Sequence, residues 1–574
     1  MAAISSNQKQ HFLWLIGIVA LGAALRLTFL AAKPLWLDEV ITALFSVGRS
    51  TADVPLNTLF PISDLKILFS VKPGVPLADI VNHVNTDSLH PPLFFMLMYG
   101  WVSWLTPDEH WVWVLRCLPA LFGLGAIAAV YWLTRLAYTP RAGLVAAALM
   151  AVSPFVVYLS QEARHYTMPM LWITLALAAL VQMQTDLYSG KGLRPWVWFG
   201  WIGLNLVALY THYFALLTLA AQLGAIALWL AWQDGQHRTI LWWRWGAIAL
   251  AVGGIGVGYA PWLRIMTQHL SRPETNWLTR DPNWAERVQY LVQLVVNGVL
   301  MVVAFPVERQ PLPVIVLSAL LVVGVAGFLV WQIVQGANQL RPSLSHYPGI
   351  WLLLGFGFWI LMEFLVIIYG LNRNITAAPR YNFVVYPAVC ALLAIALCAA
   401  SHQNRGRGIL AILLTGLLSS GFVNANLVFQ KAYYPDEVAQ AMVGDGDRPV
   451  IMLSSYQSLQ EIALGLSFAL EMPNQYEQAT GKPSTLDAIP IELGFMFRPT
   501  GGYRPVWEQL AKSQTQLKTP LNLWAIATPG MKQDDYPEKL QLQTTDQPPQ
   551  RIRCLRQPDG YRETGIPYQQ FACR

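Results

Sequence analysis

The stretch Pro34-Leu35-Trp36-Leu37-Asp38-Glu39 directly follows the first long apolar run of the chain, residues 11–32. Two adjacent carboxylates therefore stand where a hydrophobic helix is expected to leave a bilayer. Anionic head groups repel such a pair, so it is a poor membrane anchor. A carboxylate partly removed from water at this surface is suited to accept a proton from a hydroxyl group, and its neighbour can orient it or bind a cation. We predict these roles for Asp38 and Glu39; the alternative is a solvated pair that only anchors a turn.

The composition of the chain is that of a membrane protein. Of its 574 residues, 55% are hydrophobic and 12% are charged, whereas soluble domains carry about 25% charged residues. Many separate apolar runs are ~20 residues long, which matches the hydrocarbon thickness of a bilayer. The 24 Trp and 22 Tyr residues suit the membrane–water interface. We predict an all-α polytopic membrane protein with about 11 to 13 transmembrane helices, and we expect no nucleic-acid partner.

The distribution of basic residues sets the expected orientation, because cytoplasmic loops carry an excess of Lys and Arg. Arg135, Arg141 and Arg341 are assigned to the cytoplasm, which places the loop 33–90 and the chain after the last apolar run outside. Two pairs of apolar runs then cannot both cross the membrane, so one member of each pair is expected to lie along the surface or to re-enter. These pairs are 91–105 with 113–133, and 288–305 with 312–335.

The loop 33–90 and the chain after residue 429 have their own patterns. Helix-like pieces within the loop, at 40–47, 63–71 and 76–84, are expected to lie on the membrane surface. After residue 429, alternating stretches predict strands at 450–454, 491–497 and 521–527, and an apolar stretch predicts a helix at 459–470. We divide the chain into a membrane domain, 1–429, which includes the loop 33–90, and a small α/β extracytoplasmic domain, 430–574.

The redox state of two cysteines in the C-terminal domain, Cys554 and Cys573, depends on the compartment. Outside the cell they would be able to pair in a disulfide, and inside it they would stay free thiols.

Ionisable and aromatic residues recur where the other apolar runs end. Each type has a structural explanation: a histidine can cap a helix, a tyrosine can mark the interface, and an arginine can snorkel to head groups. Ionisable residues at membrane spans are nevertheless functional candidates by default. Because these residues fall on the predicted face of Asp38, we predict that they line one substrate-binding site. They are His90, Arg164, His165, Tyr166, His212, Tyr213, Arg380 and Tyr381.

Several function classes find no support in the sequence. It contains no Walker loop, no glycine-rich dinucleotide loop, no Cys/His zinc spacing and no Gly-Xaa-Ser-Xaa-Gly elbow. Nucleotide-driven transport is therefore unsupported, and a nucleotide-sugar donor would lack a Rossmann domain to hold it. A flippase or transporter for lipid-linked glycans is an alternative, although few charges, chiefly Arg26 and Glu363, fall inside the predicted spans. A non-catalytic membrane scaffold is a third hypothesis.

Short segments between residues 37 and 387 carry a resemblance through their order and spacing. They are Leu37-Asp38-Glu39, His90-Pro91-Pro92-Leu93-Phe94-Phe95, Arg116-Cys117-Leu118-Pro119-Ala120-Leu121-Phe122-Gly123, Arg141-Ala142-Gly143, Ser153-Pro154-Phe155 running to Ser160-Gln161-Glu162-Ala163-Arg164-His165-Tyr166, Tyr210-Thr211-His212-Tyr213-Phe214, and Pro379-Arg380-Tyr381 with Pro387. Together they resemble the multi-span glycosyltransferases of the GT-C class, in particular the protein mannosyltransferase-like and aminoarabinose-transferase-like group, glycosyltransferase family 39 and its bacterial relatives. The resemblance does not extend to 430–574.

The resemblance implies a GT-C fold and a transferase that moves a hexose or pentose from a polyprenyl-phosphate-sugar donor to an acceptor hydroxyl, with inversion, on the extracytoplasmic face. It implies that Asp38 is the base, and Arg164 and Arg380 are our candidates for holding the donor phosphate. Some relatives bind a divalent metal ion, but their ligands do not carry over residue by residue, so the metal stays open. We expect a lipid, glycan or protein acceptor. We also expect a bacterial inner-membrane location, with the active site and the domain 430–574 on the periplasmic side.

Overall fold

The computed structural model describes residues 6–189, 192–237, 240–272, 282–400, 405–444, 446–481, 485–527 and 530–574. The chain folds into two compact units. We call the first the helical unit; it comprises Met1–Leu30, Leu89–Phe94 and Arg116–Gln430. We call the second the mixed unit; it comprises Ala31–Ser88, Phe95–Leu115 and Lys431–Arg574.

Helices dominate the chain. The α-helices of the described residues, in chain order, are α1 (Ser6–Leu27), α2 (Leu37–Ser46), α3 (Asp64–Leu68), α4 (Leu77–Asp87), α5 (Leu93–Leu105), α6 (Trp111–Ala137), α7 (Pro140–Val152), α8 (Pro154–Ser160), α9 (Thr167–Ser189), α10 (Pro195–Leu209), α11 (Ala215–His237), α12 (Trp242–Leu270), α13 (Trp284–Leu300), α14 (Leu312–Leu340), α15 (Pro348–Leu365), α16 (Tyr386–Ala399), α17 (Arg405–Asn424), α18 (Pro435–Val443), α19 (Leu459–Ala469), α20 (Met472–Thr480) and α21 (Arg504–Leu510).

The mixed unit is built around one sheet. Its strands are β1 (Leu59–Pro61), β2 (Val450–Tyr456), β3 (Ile491–Phe497), β4 (Gln514–Thr515), β5 (Leu521–Ile526), β6 (Lys539–Thr544), β7 (Arg551–Glu563) and β8 (Pro567–Cys573). Their spatial order is β1-β3-β2-β5-β8-β7-β6-β4. β3, β2 and β5 are parallel, whereas β1 and β8 pair antiparallel on either side of them. The prediction of a small α/β domain with strands near 450–454, 491–497 and 521–527 is confirmed.

The prediction of a polytopic helical membrane protein is confirmed as well. Among the described residues, eight helices are long and apolar enough to cross a membrane, and counting the bent pair α7–α8 as one span makes nine. The shorter apolar helices are α5, α10 and α16. The expected count of about 11 to 13 spans is reached only if these shorter helices also cross.

In each of the two conflicting pairs of apolar runs, one run forms a candidate membrane span and the other does not. α6 and α14 are long and apolar enough to cross a membrane, whereas α5 is a short apolar helix and α13 is not among the candidate spans of the described residues. Length and composition thus qualify one run of each pair as a candidate span; that only one run of each pair crosses the bilayer stays a prediction.

The sheet recruits a strand from the loop 33–90. Leu59 of β1 pairs with Gly494 of β3, far along the chain. We expected this loop to belong to the membrane domain, but Ala31–Ser88 folds with Lys431–Arg574 instead. Because β1 pairs with the outer edge of β3, the loop that contains β1 is part of the mixed unit.

The helices of this loop form close to where they were expected, but one expectation about them is wrong. α2 does not lie on a surface: residues Glu39 through Ser46 are buried, and the helix packs against α19 within the mixed unit. Its apolar run, Val40–Phe45, is therefore a core segment.

The cysteine pair of the C-terminal part is oxidised. Cys554 on β7 and Cys573 on β8 are register partners and form a disulfide. Of the two alternatives for these cysteines, the structure contains the paired one.

Within the helical unit, α7 and α8 form a broken helix with a bend of 59°. Pro154 cannot donate a backbone hydrogen bond and forces the preceding residue out of the helical region. Ser153 is accordingly extended, with φ −67° and ψ 118°, and its side chain caps α8 by accepting the N–H of Val156. A break of this kind frees carbonyl groups at the end of α7, and in hydrocarbon each of them needs a donor.

Arg26 and Ser420 supply those donors. Arg26 donates from Nη2 to the carbonyl of Met150 at 2.9 Å and from Nη1 to that of Ala151 at 3.0 Å. Ser420 Oγ donates to the carbonyl of Val152 at 2.9 Å. Arg26 is completely buried, so its guanidinium caps the helix and does not snorkel to head groups.

Arg26→Leu tests this cap. We expect it to destabilise the protein by about 2 to 5 kcal/mol, because two buried carbonyls lose their donors. The midpoint of thermal unfolding in detergent is the measurement. Arg141→Leu, at the exposed opposite end of α7, is the matched control and should leave the midpoint unchanged. Equal midpoints for the Arg26 variant and the unmodified protein would contradict the capping role.

Candidate functional site

The bend between α7 and α8 is followed by a buried polar turn. α8 ends at Ser160 and α9 begins at Thr167, so Arg164, His165 and Tyr166 lie in the connection. None of these three side chains is more than 3% exposed. A buried arginine beside a buried histidine is expensive unless other groups are arranged around them.

Two more segments bring histidines to this turn. The backbone N–H of Leu93 donates to the carbonyl of Tyr210 at 3.2 Å, which joins the start of α5 to the end of α10. The ring centroid of His165 lies 4.7 Å from that of His90 and 4.8 Å from that of His212. The His90 and His212 centroids are 6.3 Å apart. Three histidines that are distant in sequence therefore form one cluster.

Hydrogen bonds keep two of these histidines neutral. Arg164 donates from Nη2 to His90 Nε2 at 3.3 Å. The backbone N–H of Phe214 donates to His212 Nδ1 at 3.0 Å. A ring nitrogen that accepts a hydrogen bond carries no proton, and an imidazole with one proton is uncharged.

Burial and nearby positive charge lower the pKa of each histidine. Burial is the main cause; the pKa of His90 and of His165 lies well below the ordinary 6.5, and that of His212 is lowered to about 3. The guanidinium charges of Arg164 and Arg380 contribute to all three shifts. Both arginines are therefore within electrostatic reach of the cluster, which is uncharged at neutral pH.

Aromatic rings border the cluster. The Cζ atom of Arg164 lies 5.8 Å from the centre of the Tyr166 ring, and that of Arg380 lies 5.8 Å from the Tyr381 ring. Tyr166 and His212 have ring centroids 6.0 Å apart. Phe383, which the sequence analysis did not single out, lies 4.9 Å from His212 by the same measure.

Tyr213 contacts partners on α12 that the sequence analysis missed. Trp262 Nε1 donates to the Tyr213 hydroxyl at 3.2 Å, and this hydroxyl lies 2.6 Å from His269 Nδ1. Burial raises the pKa of Tyr213 to about 12, so the hydroxyl keeps its proton at neutral pH. The only sequence signal for His269 was its position in the last turn of an apolar helix, and it gained meaning only when α12 was placed beside Tyr213.

Asp38 and Glu39 belong to the mixed unit, where they occupy the first turn of α2. Carboxylates are favoured there by the helix dipole. Asp38 is half-buried, whereas Glu39 is only 1% exposed. The structure thus groups the two candidate catalytic carboxylates in one unit and the candidate substrate-binding residues in the other.

Residues of the C-terminal part hold the start of α2. The backbone N–H of Leu37 donates to the Tyr433 hydroxyl at 2.6 Å. Burial raises the pKa of Tyr433, and the charges of Asp38 and Glu39 raise it further. Lys431 Nζ lies 3.9 Å from the centre of the Trp36 ring, within cation–π distance. Lys431 and Tyr433 follow the last apolar helix, α17, and no pattern in the sequence connects them with Asp38.

Among the described residues, no group of three or more His, Cys, Asp and Glu side chains is arranged to hold a metal ion. His90 and His212 also each use a ring nitrogen to accept a hydrogen bond.

Acidification tests the neutral histidine cluster. A histidine whose folded pKa is depressed stays neutral in the folded state but gains a proton in the unfolded state below pH 6.5. Stability therefore falls as pH decreases, by up to about 1.4 kcal/mol per pH unit for each such histidine. We expect His212→Gln to flatten the dependence of the unfolding midpoint on pH between 7.5 and 5. His110→Gln, at an exposed position, is the control. Parallel curves for the two variants would argue against a neutral His212.

Comparison with known proteins finds similarity only in the fold of solved structures. No protein-family model matches the chain, and a search of curated proteins finds no match. Among solved structures, ArnT from Cupriavidus metallidurans in the apo state has a TM-score of 0.50 at 13% identity, covering 92% of this chain and 94% of that one.

Two further solved structures are also similar to this chain. ArnT from Cupriavidus metallidurans bound to undecaprenyl phosphate has a TM-score of 0.50 at 12% identity, covering 98% of this chain and 97% of that one. The archaeal oligosaccharyltransferase AglB from Archaeoglobus fulgidus, in complex with an inhibitory peptide and a dolichol-phosphate, has a TM-score of 0.44 at 13% identity, covering 82% of this chain and 64% of that one. The similarity to ArnT confirms the predicted architecture: the chain has a GT-C glycosyltransferase-like fold.

Proposed function

We propose that this protein is an integral membrane glycosyltransferase. It moves a hexose or pentose from a polyprenyl-phosphate-sugar donor to an acceptor hydroxyl, with inversion at the sugar carbon. The reaction takes place on the extracytoplasmic face, which in a bacterial inner membrane is the periplasmic side. The acceptor is a lipid, a glycan or a protein.

The observation that carries the proposal is the cluster of Arg164 and Arg380 with three neutral histidines at the ends of membrane helices. Both arginine charges act on the same three rings. Arginine binds phosphate oxygens through a planar fork of N–H donors, and it does so most strongly where water is excluded. The neutral histidines can donate further hydrogen bonds without adding charge. We assign the donor phosphate to this cluster, with Tyr166, Tyr213 and Tyr381 bordering it.

The lipid part of the donor is supported by the fold. ArnT, whose architecture this chain shares, has been solved bound to undecaprenyl phosphate. A prenyl chain needs an apolar surface beside its phosphate, and helices that cross a bilayer present one. The helical unit therefore combines the two properties that a polyprenyl-phosphate carrier demands.

Asp38 is the proposed general base. Transfer to a hydroxyl requires a group that removes the hydroxyl proton as the new glycosidic bond forms. Asp38 is half-buried at the start of α2, and the Tyr433 hydroxyl fixes this turn through Leu37. Glu39 is proposed to orient Asp38 or a cation. No step of this reaction is assigned to a metal ion.

Replacing Asp38 by Asn tests the base. The amide cannot accept the proton, so we expect the rate of sugar transfer to fall by about 10²- to 10⁴-fold with binding of the lipid donor retained. The assay follows transfer from a polyprenyl-phosphate-sugar in detergent or liposomes. Asp64→Asn is the matched control, because Asp64 also stands in the first turn of a helix of the same loop, α3. Full activity of the Asp38 variant would remove Asp38 as base; transport of a lipid-linked glycan without any transfer would favour the flippase hypothesis.

Replacing Arg164 or Arg380 by Gln tests the phosphate cluster. Loss of one cation from a charge-stabilising site costs about 10²- to 10³-fold in rate. We expect such a loss in each variant, together with weaker binding of prenyl phosphate. Arg264→Gln, at an exposed position on α12, controls for a general loss of positive charge. If both variants bind prenyl phosphate and transfer sugar as the control does, the phosphate lies elsewhere.

A further inference from the structure

In the sheet of the mixed unit, the chain adds parallel strands first on one side of β2 and then on the other, so the direction of strand addition reverses at β2. β2 lies between two parallel neighbours, β3 and β5. From β2 the chain passes through α19 and α20 to β3 on one side, and then through α21 to β5 on the other. In open α/β sheets, ligands bind outside the carboxyl ends of the parallel strands.

The helices on the two sides of the reversal cover opposite faces of the sheet. Gly465 of α19 lies against Ser454 of β2. Val506 of α21 instead shares an apolar core with Leu453, the residue before Ser454. Successive residues of a strand point to opposite faces, so α19 and α21 diverge from the strand ends. The chain therefore leaves the carboxyl ends of β2 and β3 toward opposite faces of the sheet.

Arg498 lies at the carboxyl end of β3. It directly follows β3, and its backbone N–H donates to the carbonyl of Tyr456, the last residue of β2, at 2.8 Å. Arg498 is only 8% exposed, and its Nε has no hydrogen-bond partner among the described residues. Its Cζ lies 5.1 Å from the centre of the Tyr503 ring. A buried guanidinium with an unused donor is costly to keep in a folded protein, and an anionic ligand would offset that cost.

Aromatic residues cluster at the carboxyl ends of β2 and β3. Tyr456 and Phe497 have ring centroids 5.7 Å apart, and Tyr503 stacks on Trp507 at 6.1 Å. Phe497 is 46% exposed, an unusual exposure for a large apolar side chain at the end of a buried strand.

Asn57, from the loop after α2, braces this edge. Its Oδ1 accepts the backbone N–H of Phe497 at 2.9 Å, and its Nδ2 donates to the Tyr456 hydroxyl at 3.3 Å. The backbone of Asn57 has φ 62°, a left-handed conformation that non-glycine residues adopt at a cost.

We propose that the carboxyl ends of β2 and β3 form a binding site for a small ligand that carries a phosphate or carboxylate group on a sugar-like ring. The Arg498 guanidinium binds the anionic oxygens through its planar fork of donors. The Tyr503 ring, which lies beside the guanidinium, packs against the ring of the ligand. None of these residues belongs to the proposed transfer site, so the inference goes beyond that function and stands independently of it.

Hydrogen–deuterium exchange on the full-length protein in detergent locates binding directly. The probes are glucose 6-phosphate and glucuronate, which offer a phosphate and a carboxylate, and neutral glucose. We expect at least one anionic probe to slow exchange in peptides covering 456–461 and 497–507, and glucose to have no such effect. Which anion protects more strongly identifies the source of the charge. The same protection should persist in Arg164→Gln, which separates this site from the helical unit.

Matched variants decide the role of Arg498. Arg498→Gln should raise the dissociation constant of the protective probe at least tenfold, whereas Arg504→Gln should not. Arg504 is six residues along the chain, is 90% exposed in its side chain and pairs with Glu508. Equal protection in the Arg498 variant, equal protection by glucose, or no protection by either anion would overturn the proposal.

Arg498→Met distinguishes binding from a structural role. A residue kept for a ligand is not needed for folding, so the variant should unfold at the same or a higher temperature than the unmodified protein and should lose the protection. A fall of several degrees in the midpoint would assign Arg498 to stability and overturn the proposal.

Discussion

The hydrogen bonds from Arg26 to the carbonyls of Met150 and Ala151 are the interaction on which the helical unit depends. They allow a helix to break at Pro154 in an apolar environment where unpaired carbonyls cost several kcal/mol each. The relation is reciprocal, because Gln161, just past the break, places its Nε2 3.2 Å from the carbonyls of Leu25 and Thr28 at the end of α1. The first helix and the broken helix therefore complete each other, and the polar turn 161–166 is held as a consequence.

The sequence could predict the elements whose formation is local. Apolar runs of about 20 residues identify membrane helices because bilayer thickness sets their length, and period-two alternation located β2, β3 and β5. It could not predict β1, because Leu59–Pro61 is short, contains a proline and pairs with a strand more than 400 residues away. It also mistook α2 for a surface helix, since an apolar run of that length fits either a membrane surface or a core, and only its packing on α19 decides.

For the site, the sequence likewise indicated the residue types but not their arrangement. Histidines and arginines at the ends of apolar runs were visible as candidates, because ionisable residues are costly near a membrane and are kept for a reason. Their protonation state was not visible. It depends on burial and on the charges of Arg164 and Arg380, which act on rings from three segments. His269 and Trp262 were missed because a histidine and a tryptophan at the end of an apolar helix usually mark only the interface.

The uncharged state of the histidines bears on how the proposed transfer would be accelerated. A polyprenyl-phosphate-sugar carries one negative charge on its phosphodiester, and the phosphate gains a second as the sugar departs. Two arginine charges match that later state better than the earlier one, which is the condition for lowering a barrier and not merely binding substrate. Three additional cationic histidines would instead bind the donor and the released prenyl phosphate too tightly. Keeping them neutral by burial leaves their hydrogen bonds available and limits the positive charge to the two arginines that we propose to hold the leaving phosphate.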